Sequence, residues 1–281
     1  MINDLSVRKF ILYILAFIIA INSAITFGSP ESRALIIDVT AVLTSGAALF
    51  LSATILLRKH LKKRKQEGLI SLSIGLGLWF AAEAIWAYYR QGLGIEVPYP
   101  SVADWAWFAG YGFLALYTYR IMGNVGKTNP IEKSLVLLVS VSVALSLGYI
   151  LNLTFGVAQY LSPPEEILAL IMSVAYPVFD GILLVPSMVI LWSLRKGDPS
   201  SIQWTMMSLS FVVLTIGDIG FGYSFALAPS VAEEFEWMWA VFYNTGYMLI
   251  AASILWYSKL EAGSSFSSKI RNEDSELLKS K

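Results

Sequence analysis

Eight long apolar runs, each bounded by short polar or charged clusters, dominate the 281-residue sequence, at roughly 10–27, 34–57, 69–90, 102–122, 133–153, 167–194, 204–227 and 236–257. Runs of this length match the 17–25 residues a helix needs to cross a bilayer, whose core admits only structures that satisfy their own backbone hydrogen bonds. The chain is 56% hydrophobic and 14% charged, against about 45–50% and about 25% for soluble domains, so lipid is the expected solvent for most of its surface. The expected fold class is an all-α polytopic membrane protein of eight transmembrane helices. The run at 10–27 is read as a retained span, because no A-x-A-like cleavage site follows it.

Charge on the connections orients the spans. All of the 20 basic residues except Arg33 and Arg90 fall on one set of alternate connections and the two ends, which is expected to be cytoplasmic, with both termini there. The densest group is Arg58, Lys59, Lys62, Lys63, Arg64 and Lys65, a contact for anionic headgroups and a candidate docking point for a separate cytoplasmic partner. The opposite connections carry Glu96, Glu165, Glu166, Glu233, Glu234 and Glu236. Trp105, Trp107, Trp237 and Trp239 at outer ends and Trp192, Trp204 and Trp256 at inner ends read as two interfacial belts. Residues 259–281 are polar and Ser-rich and read as a disordered cytoplasmic tail.

The halves resemble each other. A shift of 135 residues places Glu83 on Asp218 and Tyr88 on Tyr223, and one of 136 places Gly110-Tyr111 on Gly246-Tyr247. Two four-helix repeats are therefore expected, 1–122 and 123–258, parallel and related by an axis along the membrane normal.

Composition excludes much chemistry. There is no cysteine and a single histidine, His60, in the basic run. Disulfides, thiolate nucleophiles, iron–sulfur clusters, Ser-His-Asp triads and bis-His haem have no material. Zero formal net charge gives no electrostatic case for nucleic acid, and no cofactor is expected. Apart from Lys133 at the end of one, no lysine lies within an apolar run to form a retinal Schiff base.

What remains is carboxylate, phenol and indole where lipid would forbid charge. Asp38, Glu83, Asp104, Asp180 and Asp218 lie in or at the ends of apolar runs that hold no Lys or Arg except Arg90, Arg120 and Lys133 near their ends; such residues face protein interiors and often mark function. Glu83 and Asp218 each fall 14 residues into their runs, about 21 Å from the basic side at about 1.5 Å per residue. Trp79, Glu83 and Trp86 share one helix face, as do Asp104, Trp107 and Tyr111. With Tyr88, Tyr176, Asp180, Asp218, Tyr223 and Tyr247 they form the candidate ligand-binding set in the outer half, suited to a small molecule, lipid or cation. The plain alternative is a set of interhelical ties, with Arg90 reaching Asp104 across the rim. Pro177 and Pro186 flank Asp180 and free backbone carbonyls near it.

Val97-Pro98-Tyr99-Pro100-Ser101-Val102-Ala103-Asp104, followed by Gly110-Tyr111, resembles the P-[YF]-P-S-x-A-D…GY string of membrane modules that precede GGDEF and EAL domains in bacterial signalling proteins. Tyr176-Pro177-Val178-Phe179-Asp180 with Leu183-Leu184, Asp218 with Tyr223, and Gly246-Tyr247 are similar to later strings of that family, so the likeness covers about 75–255; Tyr243 stands where its closing motif has tryptophan. The resemblance implies a membrane sensory or signal-input module. No output domain follows the last run in this sequence, so output is expected from a separate protein. Three functions stay open at this level: a receptor-like module, a proton- or cation-coupled transporter, and an intramembrane hydrolase using paired carboxylates.

Overall fold

The structure is a computed structural model that describes residues 4–57, 63–122, 164–194, 198–227 and 235–279. Among these there are seven helices and no strand: α1 Asp4–Phe27, α2 Pro30–Leu56, α3 Lys63–Ala87, α4 Val102–Met122, α5 Pro164–Ser193, α6 Ser200–Leu227 and α7 Glu236–Lys279. Six contain stretches long and apolar enough to cross a membrane: Ser6–Phe27, Pro30–Leu56, Gln66–Gly92, Ala175–Ser193, Ser200–Gly222 and Glu236–Ala262. The exception is α4, whose tryptophans, tyrosines and glycines dilute its hydropathy, although its 21 residues extend about 31 Å, the thickness of a hydrocarbon core. The expected run at 133–153 and half of the basic group, Arg58, Lys59 and Lys62, lie outside the described residues.

Local signals explain the helix ends. Ser29 caps α2, accepting from Ser32 N–H at 3.4 Å with Pro30 at the first helical position. Ser101 and Asp104 form a capping box on α4: Asp104 Oδ2 accepts from Ser101 N–H at 2.6 Å, and Ser101 Oγ accepts from Ala103 N–H at 3.2 Å. The chain leaves α3 through a π-turn, Tyr88–Gly92, closed by Leu93 N–H on the Tyr88 carbonyl (3.0 Å), and Gly94 takes a positive φ, +64°.

Contacts run α2–α3–α4–α5–α6–α7 and back to α2, a ring of six helices; α1 packs outside it on α7 and α2. Lipid is as apolar as the side chains it touches, so the ring is held by close packing and interhelical hydrogen bonds. A Cβ at Gly110 would lie 2.3 Å from Trp79 and 3.0 Å from the Gly75 carbonyl, so α3 and α4 meet backbone to backbone. Across the ring, a Cβ at Gly246 on α7 would lie 2.6 Å from Leu214 on α6. Thr44 donates to Asn244 Oδ1 at 3.0 Å and Asn22 donates to Thr245 at 2.7 Å, tying α2 and α1 to α7.

The ring is solid at one end. Leu72, Leu76, Leu114, Tyr117, Ile190, Trp204, Met207, Phe211, Ile250 and Ile254 pack in one buried cluster, with Tyr117 and Trp204 stacked at 6.0 Å. The interfacial-belt reading is corrected accordingly. Trp105 and Trp192 are exposed, but Trp204 and Trp256 are buried, and Trp256 donates to the Pro199 carbonyl at 2.9 Å. An indole that finds an acceptor inside the bundle gains more packing than one at a headgroup. The disordered-tail expectation is also corrected: α7 continues to Lys279 and, at 44 residues, is about 66 Å long. Serine lowers helix propensity only modestly, and extending an existing helix avoids the nucleation cost.

Candidate functional site

At the other end, where α2, α4 and α7 begin and α3 ends, the ring opens into a cavity of about 130 Å³. All six ring helices line it. Ile37, Asp38 and Ala41 come from α2; Trp79, Glu83 and Trp86 from α3; Asp104, Trp107 and Tyr111 from α4; Tyr176 from α5; Leu214, Asp218 and Phe221 from α6; and Glu236, Trp239, Tyr243, Asn244 and Tyr247 from α7. Tyr99, from the connection before α4, completes the wall. Both helix faces expected from the sequence point inward together.

The carboxyl groups are held mostly by phenols. Tyr247 donates to Glu83 Oε1 at 2.5 Å, while Tyr111 contacts Asp180 Oδ1 at 2.7 Å and Asp218 Oδ2 at 3.1 Å. Tyr176 donates to Asp104 Oδ1 at 2.7 Å. Trp107 is within hydrogen-bonding reach of Glu83, and Tyr243 of Asp218. Trp79 is buried between Tyr111 and Tyr247, its ring centroid 5.0 and 5.9 Å from theirs, and its indole donates to the Trp107 carbonyl at 3.1 Å. These rings are packed edge to face, the favourable aromatic arrangement.

Among the described residues, one guanidinium reaches the acids. Arg90 Nε lies 3.4 Å from Asp38 Oδ2, its Nη1 pairs with Glu236, and Gln91 donates to the same Asp38 oxygen at 2.7 Å. The rim bridge expected between Arg90 and Asp104 is therefore corrected: the π-turn brings Arg90 onto α2 and α7, and both Asp104 oxygens are already engaged by Ser101 and Tyr176. Arg33 turns away from the acids, donating to the Gly28 carbonyl at 3.2 Å and lying over the Trp237 ring.

Two buried polar atoms at the cavity have no hydrogen-bond partner, Asp38 Oδ1 and Trp239 Nε1. Among the described residues no three metal-ligating side chains are grouped closely enough to hold a metal ion. Five carboxyl groups thus share an aromatic-walled space with one guanidinium.

Of the candidate set, Trp79, Glu83, Trp86, Asp104, Trp107, Tyr111, Tyr176, Asp218 and Tyr247 meet at this cavity. Asp180, 1% exposed, stands behind Tyr111 and joins the site through that phenol and through Asp218, whose carboxyl is within its hydrogen-bonding reach. Tyr88 is corrected: it is 60% exposed, its ring folded over Gly92, and it does not line the cavity. Five residues beyond Glu83, it stands about 140° round the helix from the face that carries Glu83. The side chain of Tyr223 lies outside the described residues. Sequence reasoning assigned Trp239 to an interfacial belt and Glu236 to an outer loop, and passed over Asn244. A signal was present, because Glu236, Trp239, Ala240, Tyr243, Asn244 and Tyr247 recur at helical spacing along one face. No known protein family, curated protein or solved structure matches the chain.

Proposed function

We propose that this chain is a receptor-like membrane module that binds a small ligand in the ring cavity and passes a helix displacement toward the opposite end. The observation that carries the reading is the asymmetry of the ring: a cavity lined by acids and aromatics at one end, and continuous apolar packing across the other. A site that all six ring helices touch can favour one helix arrangement over another, the requirement for any ligand to transmit a signal. Of these helices, α7 supplies Glu236, Trp239, Tyr243, Asn244 and Tyr247 to the cavity wall and extends unbroken to Lys279, which makes it the direct route. The likeness of residues 97–104 to GGDEF- and EAL-linked input modules supports the same reading, with output through a separate protein near residues 58–65.

The finer architecture we propose is eight spans in two parallel repeats, with both termini cytoplasmic and the cavity facing outward. The charge distribution of the connections supports the orientation. The ring order supports the duplication: under the 135–136-residue shift α3 corresponds to α6 and α4 to α7, so the α4–α5 contact corresponds to α7–α2. The Gly110–Trp79 approach likewise corresponds to Gly246–Leu214. Most telling is an exchange of partners, since Tyr111 reaches Asp218 in the other half while Tyr247 reaches Glu83 in the first. Reciprocal contacts are what a two-fold axis produces.

The test is thermal melting in detergent against a panel of organic cations, lipids and neutral aromatic amphiphiles. At least one class should raise the wild-type melting temperature, and Glu83→Gln combined with Asp218→Asn should abolish that rise. A panel with no such effect would remove the receptor reading. Transport is the second reading, favoured by the Asp180–Tyr111–Asp218 chain of contacts. Gradient-driven uptake into proteoliposomes would establish it, whereas a receptor shows none.

A further inference from the structure

We infer that the ligand class of this cavity is a short diamine, whose two ammonium groups meet the carboxylate–phenol pairs Glu83–Tyr247 and Asp218–Tyr111. The inference rests on the cavity being a ligand site, as proposed above. Its starting point is the exchange of partners. Each pair joins a carboxyl from one half of the chain to a phenol from the other, at 2.5 and 3.1 Å, and both phenols pack on the same Trp79 ring. The cavity therefore presents two carboxyl positions, one on each side of a shared aromatic wall. A monocation satisfies one of them. A zwitterion brings an anion to a space whose one guanidinium is already held by Asp38 and Glu236.

Size agrees with this assignment. A dry cavity of about 150 Å³ takes benzene, a molecule of about six heavy atoms, and this one measures about 130 Å³. Putrescine (butane-1,4-diamine) has the same heavy-atom count. Its methylenes suit aromatic walls, and ammonium groups are attracted to indole and phenol faces as well as to carboxylates. An unpartnered acceptor points the same way: Asp38 is 3% exposed, lines the cavity, and has Oδ1 buried without a hydrogen bond. It is available to an ammonium N–H. An inorganic ion fits less well, because the described acids are too dispersed to coordinate one. The Trp239 indole N–H has no acceptor on a diamine, so an amino alcohol is the competitor to exclude.

The experiment is calorimetric titration of the full chain in detergent at fixed ionic strength with putrescine, 1-aminobutane and ethanolamine, using wild type, Glu83→Gln and Asp218→Asn. Wild type should bind putrescine one to one and at least about tenfold more tightly than 1-aminobutane, the gain expected when a second desolvated charge finds its partner. Each substitution should reduce putrescine to the affinity of the monoamine. Both replacements are isosteric, and if either fails to fold, the wild-type ratio of the two amines decides. A ratio near one, with 1-aminobutane binding lost in both variants, would overturn the diamine while leaving the cavity a cation site. Ethanolamine binding more tightly than putrescine, and weakened by Trp239→Phe, would also overturn it. Silence from all three amines, together with no stabilisation by any lipid or neutral member of the melting panel, would overturn the ligand site itself.

Discussion

Gly110→Ala and Gly112→Ala differ by two residues on one helix and should differ sharply in consequence. A methyl at 112 meets nothing within 4 Å, whereas one at 110 would sit 2.3 Å from Trp79 Cδ1, 2.7 Å from its Nε1 and 3.0 Å from the Gly75 carbonyl. The indole cannot swing aside freely. It is 2% exposed, wedged against Tyr111 and Tyr247, and tied to the Trp107 carbonyl at 3.1 Å. Overpacking of this kind costs about 1–3 kcal/mol, and losing the indole hydrogen bond adds about 0.5–1.5 kcal/mol. The helix-propensity gain of Gly→Ala, about 1 kcal/mol at most, is common to both variants and cancels in the comparison. Gly110→Ala should therefore be less stable than Gly112→Ala by about 1.5–4.5 kcal/mol. Equilibrium unfolding in mixed micelles of a mild detergent and SDS measures the difference, and near-ultraviolet circular dichroism should report the displaced indole. A difference below about 0.5 kcal/mol, the range of ordinary surface substitutions, would refute the claim that α3 and α4 are in backbone contact beside the site.

Double-mutant cycles on Tyr247→Phe with Glu83→Gln and on Tyr111→Phe with Asp218→Asn should each give coupling of about 0.6–1.7 kcal/mol, the range for interhelical polar pairs in a membrane; unfolding free energies that simply add would contradict the exchanged contacts. Arg90→Gln should lower stability by about 1–3 kcal/mol, because Asp38 and Glu236 lose their shared cation and Asp38 keeps only Gln91. An unchanged melting temperature would rule that out. Ser101→Ala removes the α4 cap and should cost about 1 kcal/mol, seen as early exchange of the amide hydrogens in the first turn of α4. The chain has no cysteine, so Glu96→Cys and Leu57→Cys can be labelled individually: a membrane-impermeant maleimide should reach position 96 in intact cells and position 57 only after permeabilisation, and the reverse pattern would invert the proposed topology.

The solvent, the secondary structure and the helix faces of this protein were legible without coordinates. Apolar runs of transmembrane length leave a chain few alternatives, because lipid offers no partner to an unsatisfied peptide group. Residues spaced by three and four share a face whatever the tertiary packing, which is why Trp79, Glu83 and Trp86, and Asp104, Trp107 and Tyr111, were read correctly as two inward strips.

Partnership was decided only by the ring. Periodicity cannot say which of two acids an arginine meets, and Arg90 goes to Asp38 and Glu236 because a π-turn inserts at the end of α3. It cannot separate an interfacial tryptophan from a buried one, since Trp256 and Trp105 look alike in sequence and lie at 1% and 61% exposure. Nor does it reveal that Tyr111 and Tyr247 exchange carboxylates across the halves. A helix specifies the direction of each side chain relative to its own axis, whereas the distance between side chains on different helices depends on how closely the backbones approach, and here that is set by glycines at 75, 110 and 246.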